Sequence, residues 1–223
     1  AQSFHDDKLR YLGRKHTEQD IREAFDRARK AGVKNISLDL MYGFPNQTIS
    51  ELEKDVHAIT SLGAEHISLY ALTIEHNSRF FTKNLQLPDS EIQVEQYAFV
   101  KEFMEKEGYG QYEVSNFSRK GFESKHNLNY WRGGEYIGLG LAAHSYINGK
   151  RYWNISKLSE YMKRLKNNQS PQEESKNLSA LEQFMDALLF GLRMNEGVDM
   201  EQLEKRFNVQ LDEASKSVLH QML

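Results

Sequence analysis

The sequence predicts an α/β protein. Residues 1–110 read as the C-terminal part of a partial (β/α) barrel, 111–155 as a strand and hairpin extension, and 156–223 as a helical C-terminal domain of winged-helix type, itself cut short. Three observations predict this. Strand-like and helix-like segments alternate as far as Gly108, the rhythm of a parallel sheet covered by helices. The middle region carries strand-like runs and the turn pair Asn148-Gly149. From Ser156 onward the apolar residues recur at helical spacing.

Each element has its own justification. Thr17 is placed to cap a helix with Asp20 in its first turn, Ile21, Ala24, Phe25 and Ala28 share one face, and Gly32 marks the stop. VKNISLDLMYG is a branched, apolar run ending in Gly43 and Pro45, and reads as a buried strand. Thr48 and Glu51 form a capping-box pattern ahead of Leu52, Val56 and Ile59, and Gly63 ends that helix. HISLYALTI is the next strand, and the polar connection HNSRFFTKNLQLPD leads to a helix from about Ser90 to Glu107, stopped by Gly108. QYEVSNF and GLAAHSYINGKRYWN are strand-like, with a tight hairpin between SYI and KRYW. Leu158, Tyr161, Met162 and Leu165 form a helical face. Ser179 and Glu182 form another capping box, and Leu181, Phe184, Met185, Leu188 and Leu192 its buried stripe. GVDMEQLEKRFN is a short third helix, and NNQSPQEESKN reads as a linker.

Bulk composition narrows the function classes. The chain has 223 residues, 39% hydrophobic and 27% charged, with a formal net charge of -3. That is a globular composition, and mild acidity argues against a protein built to coat nucleic acid. Its apolar runs are too short to span a bilayer and no signal pattern opens the chain, so a cytoplasmic location is expected, with peripheral membrane association left open. There is no cysteine, so this chain alone supplies no thiolate for catalysis, zinc or an iron–sulfur cluster. It begins AQSF and stops within the apolar-periodic VLHQML, which leads us to expect a fragment of a longer protein.

In (β/α) barrels the functional groups lie at the C-terminal ends of the strands, where Asp39, Met41, Tyr42, Thr73 and Glu75 fall. Gln2, Arg14 and Asp39 together suit a ligand with a carboxylate and a ribose, because Arg forks onto carboxylates and Asp accepts from sugar hydroxyls. From spacing alone, strand-end polar groups and a surface arginine are the preferred reading of the three. GFPNQT either presents amides to an anion or caps its own helix. A third set comprises Tyr112, His126, Asn127, Tyr130, Trp131 and His144; an imidazole can ligate haem iron and flat rings can line a porphyrin, while a lone loop histidine also serves as a hydrogen-bonding residue.

The motifs QSFHDDKLRYLGRKHT, NISLDLMYGFPNQT, HISLYALTIE, GYGQYEVSNFSRKG, SKHNLNYW and YIGLGLAAHSY stand in one order. In that order the chain resembles, over essentially its whole length, the oxygen-independent coproporphyrinogen III oxidase-like radical SAM proteins, the HemN/HemW group. DLMYGFPNQT and HNLNYW are the specific parts. HNLNYW matches the HNxxYW motif associated with haem binding in the HemW branch.

The resemblance implies a haem chaperone that delivers haem to respiratory proteins. The alternative is the porphyrinogen oxidase of the HemN branch, which decarboxylates two propionates in porphyrin biosynthesis. A third reading makes the helical tail a nucleic-acid-binding module. By resemblance, Gln2, Arg14 and Asp39 help bind S-adenosylmethionine, His126 contacts haem and is the candidate iron ligand, and Asn127, Tyr130 and Trp131 stand beside it. His144 is secondary, because Leu141-Ala142 precede the AHS where the family has Pro-Gly. The [4Fe-4S] cluster and its CxxxCxxC motif are expected in a preceding part of a full-length protein, and this chain by itself is expected to be inactive as an enzyme.

Overall fold

The computed structural model describes residues 1–76, 79–82 and 85–213. The chain divides into two compact units, Ala1–Ser124 and Lys125–Leu223. The VLHQML segment and part of the 76–89 connection lie outside the described residues.

The first unit runs α1 (Asp6–Tyr11), α2 (Glu18–Lys30), β1 (Ser37–Tyr42), α3 (Ile49–Ser61), β2 (His66–Ala71), α4 (Arg79–Thr82), α5 (Ser90–Lys106), β3 (Gly110–Glu113) and β4 (Asn116–Ser118). Thr17 and Thr48 each accept from the backbone three residues on while Asp20 and Glu51 bond back, so both predicted caps form. Gly32, Gly63 and Gly108 end their helices with positive φ. Helix α1 lacks an amphipathic signal in DDKLRY and is anchored by the fully buried Leu9.

The sheet has the order β1-β2-β4-β3. The expected parallel arrangement holds between β1 and β2 and not beyond. QYEVSNF is not one strand: it folds back at Val114 and Ser115, so β4 runs antiparallel to both β2 and β3. The reversal comes without the glycine that marks most tight hairpins, which hides it in the sequence. Strand alternation then sorts the faces. Leu40, Tyr42, Ile67, Leu69 and Phe117 pack with Leu52, Val56 and Ile59 of α3 and with Val100 and Met104 of α5 in one core. Ser37, Asp39, Met41, His66, Ser68, Tyr70, Asn116 and Ser118 alternate with them on the opposite face.

The second unit runs α6 (Lys125–Trp131), β5 (His144–Ile147), β6 (Lys150–Asn154), α7 (Leu158–Lys166), β7 (Gln172–Asn177), α8 (Ala180–Gly191) and α9 (Met200–Phe207). The predicted hairpin joins β5 to β6, with Asn148 and Gly149 both at positive φ as a type I′ turn requires. HNLNYW, expected in a loop, lies in helix α6. The linker NNQSPQEESKN is a linker only in its first half, because Gln172–Asn177 pairs with β6 as an edge strand. That strand is polar and almost wholly exposed, so it has no hydrophobic alternation to betray it.

The stripe expected on α8 is displaced. Phe184 and Leu188 are buried, but Leu181 (54%), Met185 and Leu192 are exposed, and the buried face is completed by Ala187 and Gly191. A side chain at Gly191 would meet Val198 just before α9, so the small residues Ala187 and Gly191 join Phe184 and Leu188 on the packed face of α8. The α7 face behaves likewise: Leu158 (61%), Met162 and Leu165 are exposed. No helix among the described residues is long and apolar enough to cross a membrane.

Candidate functional site

In the first unit, Gln2 is bound to the edge of β1. Its amide donates to Asp39 O at 2.7 Å and its carbonyl accepts from Met41 N at 2.8 Å, a one-residue parallel bridge opposite Leu40. Gln2 therefore holds φ 90, a region that costs a non-glycine residue about 1–3 kcal/mol. Tyr70 Oη donates to Gln2 Oε1 at 3.0 Å, which holds the side-chain amide on the face of the sheet opposite the core.

Asp39 lies within β1, not at its end, and faces Ser68 of β2 across the parallel ladder. Arg14 is exposed in the turn between α1 and α2. Among the described residues, neither the Asp39 carboxylate nor the Arg14 guanidinium makes a hydrogen bond or ion pair of its own. The structure thus brings Gln2 and Asp39 together through the backbone, while Arg14 makes no hydrogen bond to either among the described residues.

Asp55 was missed in the sequence. Fully buried on α3, it accepts from Phe4 N at 2.6 Å and from Ser3 Oγ at 3.0 Å, pinning the residues after Gln2. Burial raises its pKa, against the pull of the Phe4 amide, His5, Lys8 and Ser3. Its only sequence signal is a charged residue on the inward face of a helix otherwise filled by Leu52, Val56 and Ile59. His66 was also missed. It is buried neutral, its pKa lowered by desolvation with Asp39 and Glu123 opposing, and it bridges Ser37 Oγ and Tyr112 Oη at 2.8 Å each. Tyr112 is thus engaged with His66 in the first unit. Glu113 bonds Asn116 through one carboxylate oxygen, while Glu113 Oε2 and Asn116 Oδ1 remain buried without a partner.

GFPNQT caps itself. Gln47 Oε1 accepts from Gly43 N at 2.8 Å and Phe44 N at 3.3 Å, so those amides are spent internally. The self-capping alternative is the one the structure adopts.

In the second unit, α6 places His126 and Tyr130 one turn apart on one face. The exposed imidazole meets the Tyr130 ring edge-on at 4.8 Å and makes no hydrogen bond among the described residues. Tyr130 stands edge-on to Tyr136 at 4.6 Å, and Tyr136 neighbours Tyr146 at 6.4 Å, so a row of rings leads away from the imidazole. Burial raises the pKa of both Tyr136 and Tyr146.

Asn127 is half-buried on the same helix. Asn129 Nδ2 donates to Glu135 O at 3.0 Å and closes the turn that follows, where a side chain at Gly134 would collide with Asn129. Trp131 lies against Phe190 at 6.3 Å with Arg193 over its ring at 4.6 Å, and its Nε1 is buried without a partner. His144 is exposed and stacks on Trp153 at 5.6 Å, and the turn before it forms with Ala142 at φ 56.

A cavity of about 270 Å³ adjoins α6, lined by Tyr130, Trp131, Tyr136 and Tyr146 together with Arg151, Asp186 and Phe190. Arg151, Asp186 and Phe190 come from β6 and α8 and share no motif with HNLNYW, so no local signal could have grouped them.

Residues 1–59 match the model of the radical SAM superfamily, and residues 178–223 that of the HemN C-terminal domain. The chain is 39% identical to the heme chaperone HemW of Bacillus subtilis (strain 168) over 223 residues, 98% of this chain and 59% of the relative. It is 36% identical to the heme chaperone HemW of Lactococcus lactis subsp. lactis (strain IL1403), over 93% of this chain and 55% of the relative. Its fold matches that of coproporphyrinogen III oxidase (HemN) from Escherichia coli, described as a radical SAM enzyme, with a TM-score of 0.78 at 17% identity, covering 94% of this chain and 52% of that one. The chain spans a little over half the length of these relatives. With both family models matched, at either end of one α/β chain, and heme chaperones aligned across nearly all of it, the chain belongs to the HemN/HemW family of radical SAM proteins.

Proposed function

We propose that this chain binds haem through His126, as part of a HemW-type chaperone that hands haem to respiratory proteins in the cytoplasm. The observation that carries the reading is the exposed imidazole of His126, without a hydrogen bond among the described residues and standing at the head of the Tyr130–Tyr136–Tyr146 row. A neutral imidazole is a ready ligand for haem iron, and aromatic rings suit the faces and edges of a macrocycle. Asn127, Tyr130 and Trp131 support it from the same helix. The two relatives named as heme chaperones favour this reading, whereas the likeness to coproporphyrinogen III oxidase is at an identity that carries the fold alone.

Gln2, Arg14 and Asp39 are proposed to hold S-adenosylmethionine, which supplies radical chemistry when joined to a [4Fe-4S] cluster. Their side chains fit such a ligand. Arg14 is an uncommitted guanidinium for a carboxylate, Asp39 an uncommitted acceptor for sugar hydroxyls, and Gln2 an amide already oriented by Tyr70. With no cysteine in the chain, the cluster would have to come from elsewhere in the protein.

Titration with haemin followed at the Soret band tests the proposal. The wild-type chain is expected to give a saturable shift, and His126→Ala to weaken binding at least tenfold, the scale of a lost iron ligand or its orienting shell. Unchanged binding in the variant would remove His126 from the site. Turnover of coproporphyrinogen III by the full-length protein would instead favour the oxidase reading.

A further inference from the structure

The cavity beside α6 carries an inference that rests on the haem reading and deepens it. At about 270 Å³ it is smaller than the roughly 300–1,000 Å³ of ordinary small-molecule sites, so a macrocycle stays outside and only a side arm enters. Its walls are mostly aromatic, yet two donor groups border it. Trp131 Nε1 is buried with no acceptor, an unfavourable state for an N–H donor. Arg151 gives Asp186 a single contact, Nη2 to Oδ2 at 2.9 Å, and the rest of its fork is uncommitted.

Of the other polar groups lining the space, Gln183 is engaged, Asp186 meets Arg151 through one carboxylate oxygen, and the Tyr130 and Tyr136 hydroxyls make no hydrogen bond among the described residues. Gln183 accepts from Tyr146 Oη at 3.0 Å and donates to Leu178 O at 3.0 Å. Arg193 over the indole ring holds Trp131 in place. The cavity therefore presents the Trp131 N–H without an acceptor and the Arg151 guanidinium only partly engaged by Asp186. Tyr130, one of its walls, is also the ring that touches the exposed imidazole of His126.

We infer that this cavity is a carboxylate subsite: Arg151 and the indole N–H of Trp131 bind one propionate of a haem held at His126, with Arg151 sharing its guanidinium between that carboxylate and Asp186. Recognition by a forked guanidinium discriminates a carboxylate from its ester, because the charge-assisted pair is lost on esterification.

The test compares haemin with haemin dimethyl ester, which keeps iron and macrocycle but blocks both carboxylates, in Soret titrations of the full chain. The wild type is expected to bind haemin about tenfold or more tighter than the ester. Arg151→Met should bring the two ligands within about twofold of each other, and Trp131→Phe, which keeps a ring but removes the N–H, should narrow the ratio as well. Near-UV circular dichroism identifies any variant that has lost its fold, and Trp131→Phe then carries the comparison alone. Equal affinity of the wild type for both ligands, or an undiminished preference in folded Arg151→Met, overturns the carboxylate subsite and leaves the haem reading standing. Absence of a saturable Soret change with either ligand overturns both.

Discussion

Buried on α3, the Asp55 carboxylate accepts from Phe4 N and Ser3 Oγ and so ties down the chain that follows the strained Gln2. Asp55→Ala leaves two donors without an acceptor in the core, and we expect a loss of about 2–3 kcal/mol in urea unfolding. Burial raises the Asp55 pKa above 3.8, so the folded state takes up its proton more readily than the unfolded state. Its contribution is full below 3.8 and is lost as pH rises through the folded value. The stability of Asp55→Asn relative to wild type should therefore improve as pH rises above 3.8; a difference that is flat with pH, or drifts the other way, would contradict the assignment. Ala142 is a second residue-scale case. It occupies φ 56 in the turn before His144, a left-handed conformation that favours glycine. Ala142→Gly removes the Cβ strain, less the extra chain entropy of glycine, and should raise stability by about 0.5–1 kcal/mol in thermal melts.

At the scale of elements, what local chemistry decides was legible. The capping boxes at Thr17, Thr48 and Ser179 all form, because side chain and backbone three residues apart meet whatever the surroundings. The Asn148-Gly149 turn forms for the same local reason. Gly149→Ala should cost about 1–2 kcal/mol in thermal unfolding, since φ 70 strains any Cβ and the added methyl also meets the Gln183 amide. What failed were elements whose partner decides them. β7 is polar and is a strand because β6 supplies its ladder. QYEVSNF alternates like one strand and becomes two because β4 pairs with β2 in the reverse direction. HNLNYW, with two asparagines of low helix propensity, is helical in its packed setting.

For the whole molecule, each unit has its own core: Leu40, Ile67 and Phe117 with α3 and α5 in one, Phe184 and Leu188 with Leu203 in the other. Ile67→Ala is expected to cost about 2–5 kcal/mol and Phe184→Ala about 3–5 kcal/mol. Amide hydrogen exchange should localise the losses to β1–β2 and to α8–α9 respectively, and indifference to either truncation would show that the core is misplaced.

The sequence by itself determined the α/β class, the three capped helices, the β5–β6 hairpin and the family, because each rests on residues close together in the chain or on motifs in a fixed order. His126 and its neighbours could be grouped as a proposal for the same reason: HNLNYW is contiguous. The tertiary structure alone decided the strand directions, the close approach of Gly191 to Val198 ahead of α9, the engagement of Asp55 with the Gln2 segment, and the meeting of Trp131 with Arg151 and Asp186. These depend on which distant segment supplies the opposing donor, acceptor or surface, and a one-dimensional pattern does not record that.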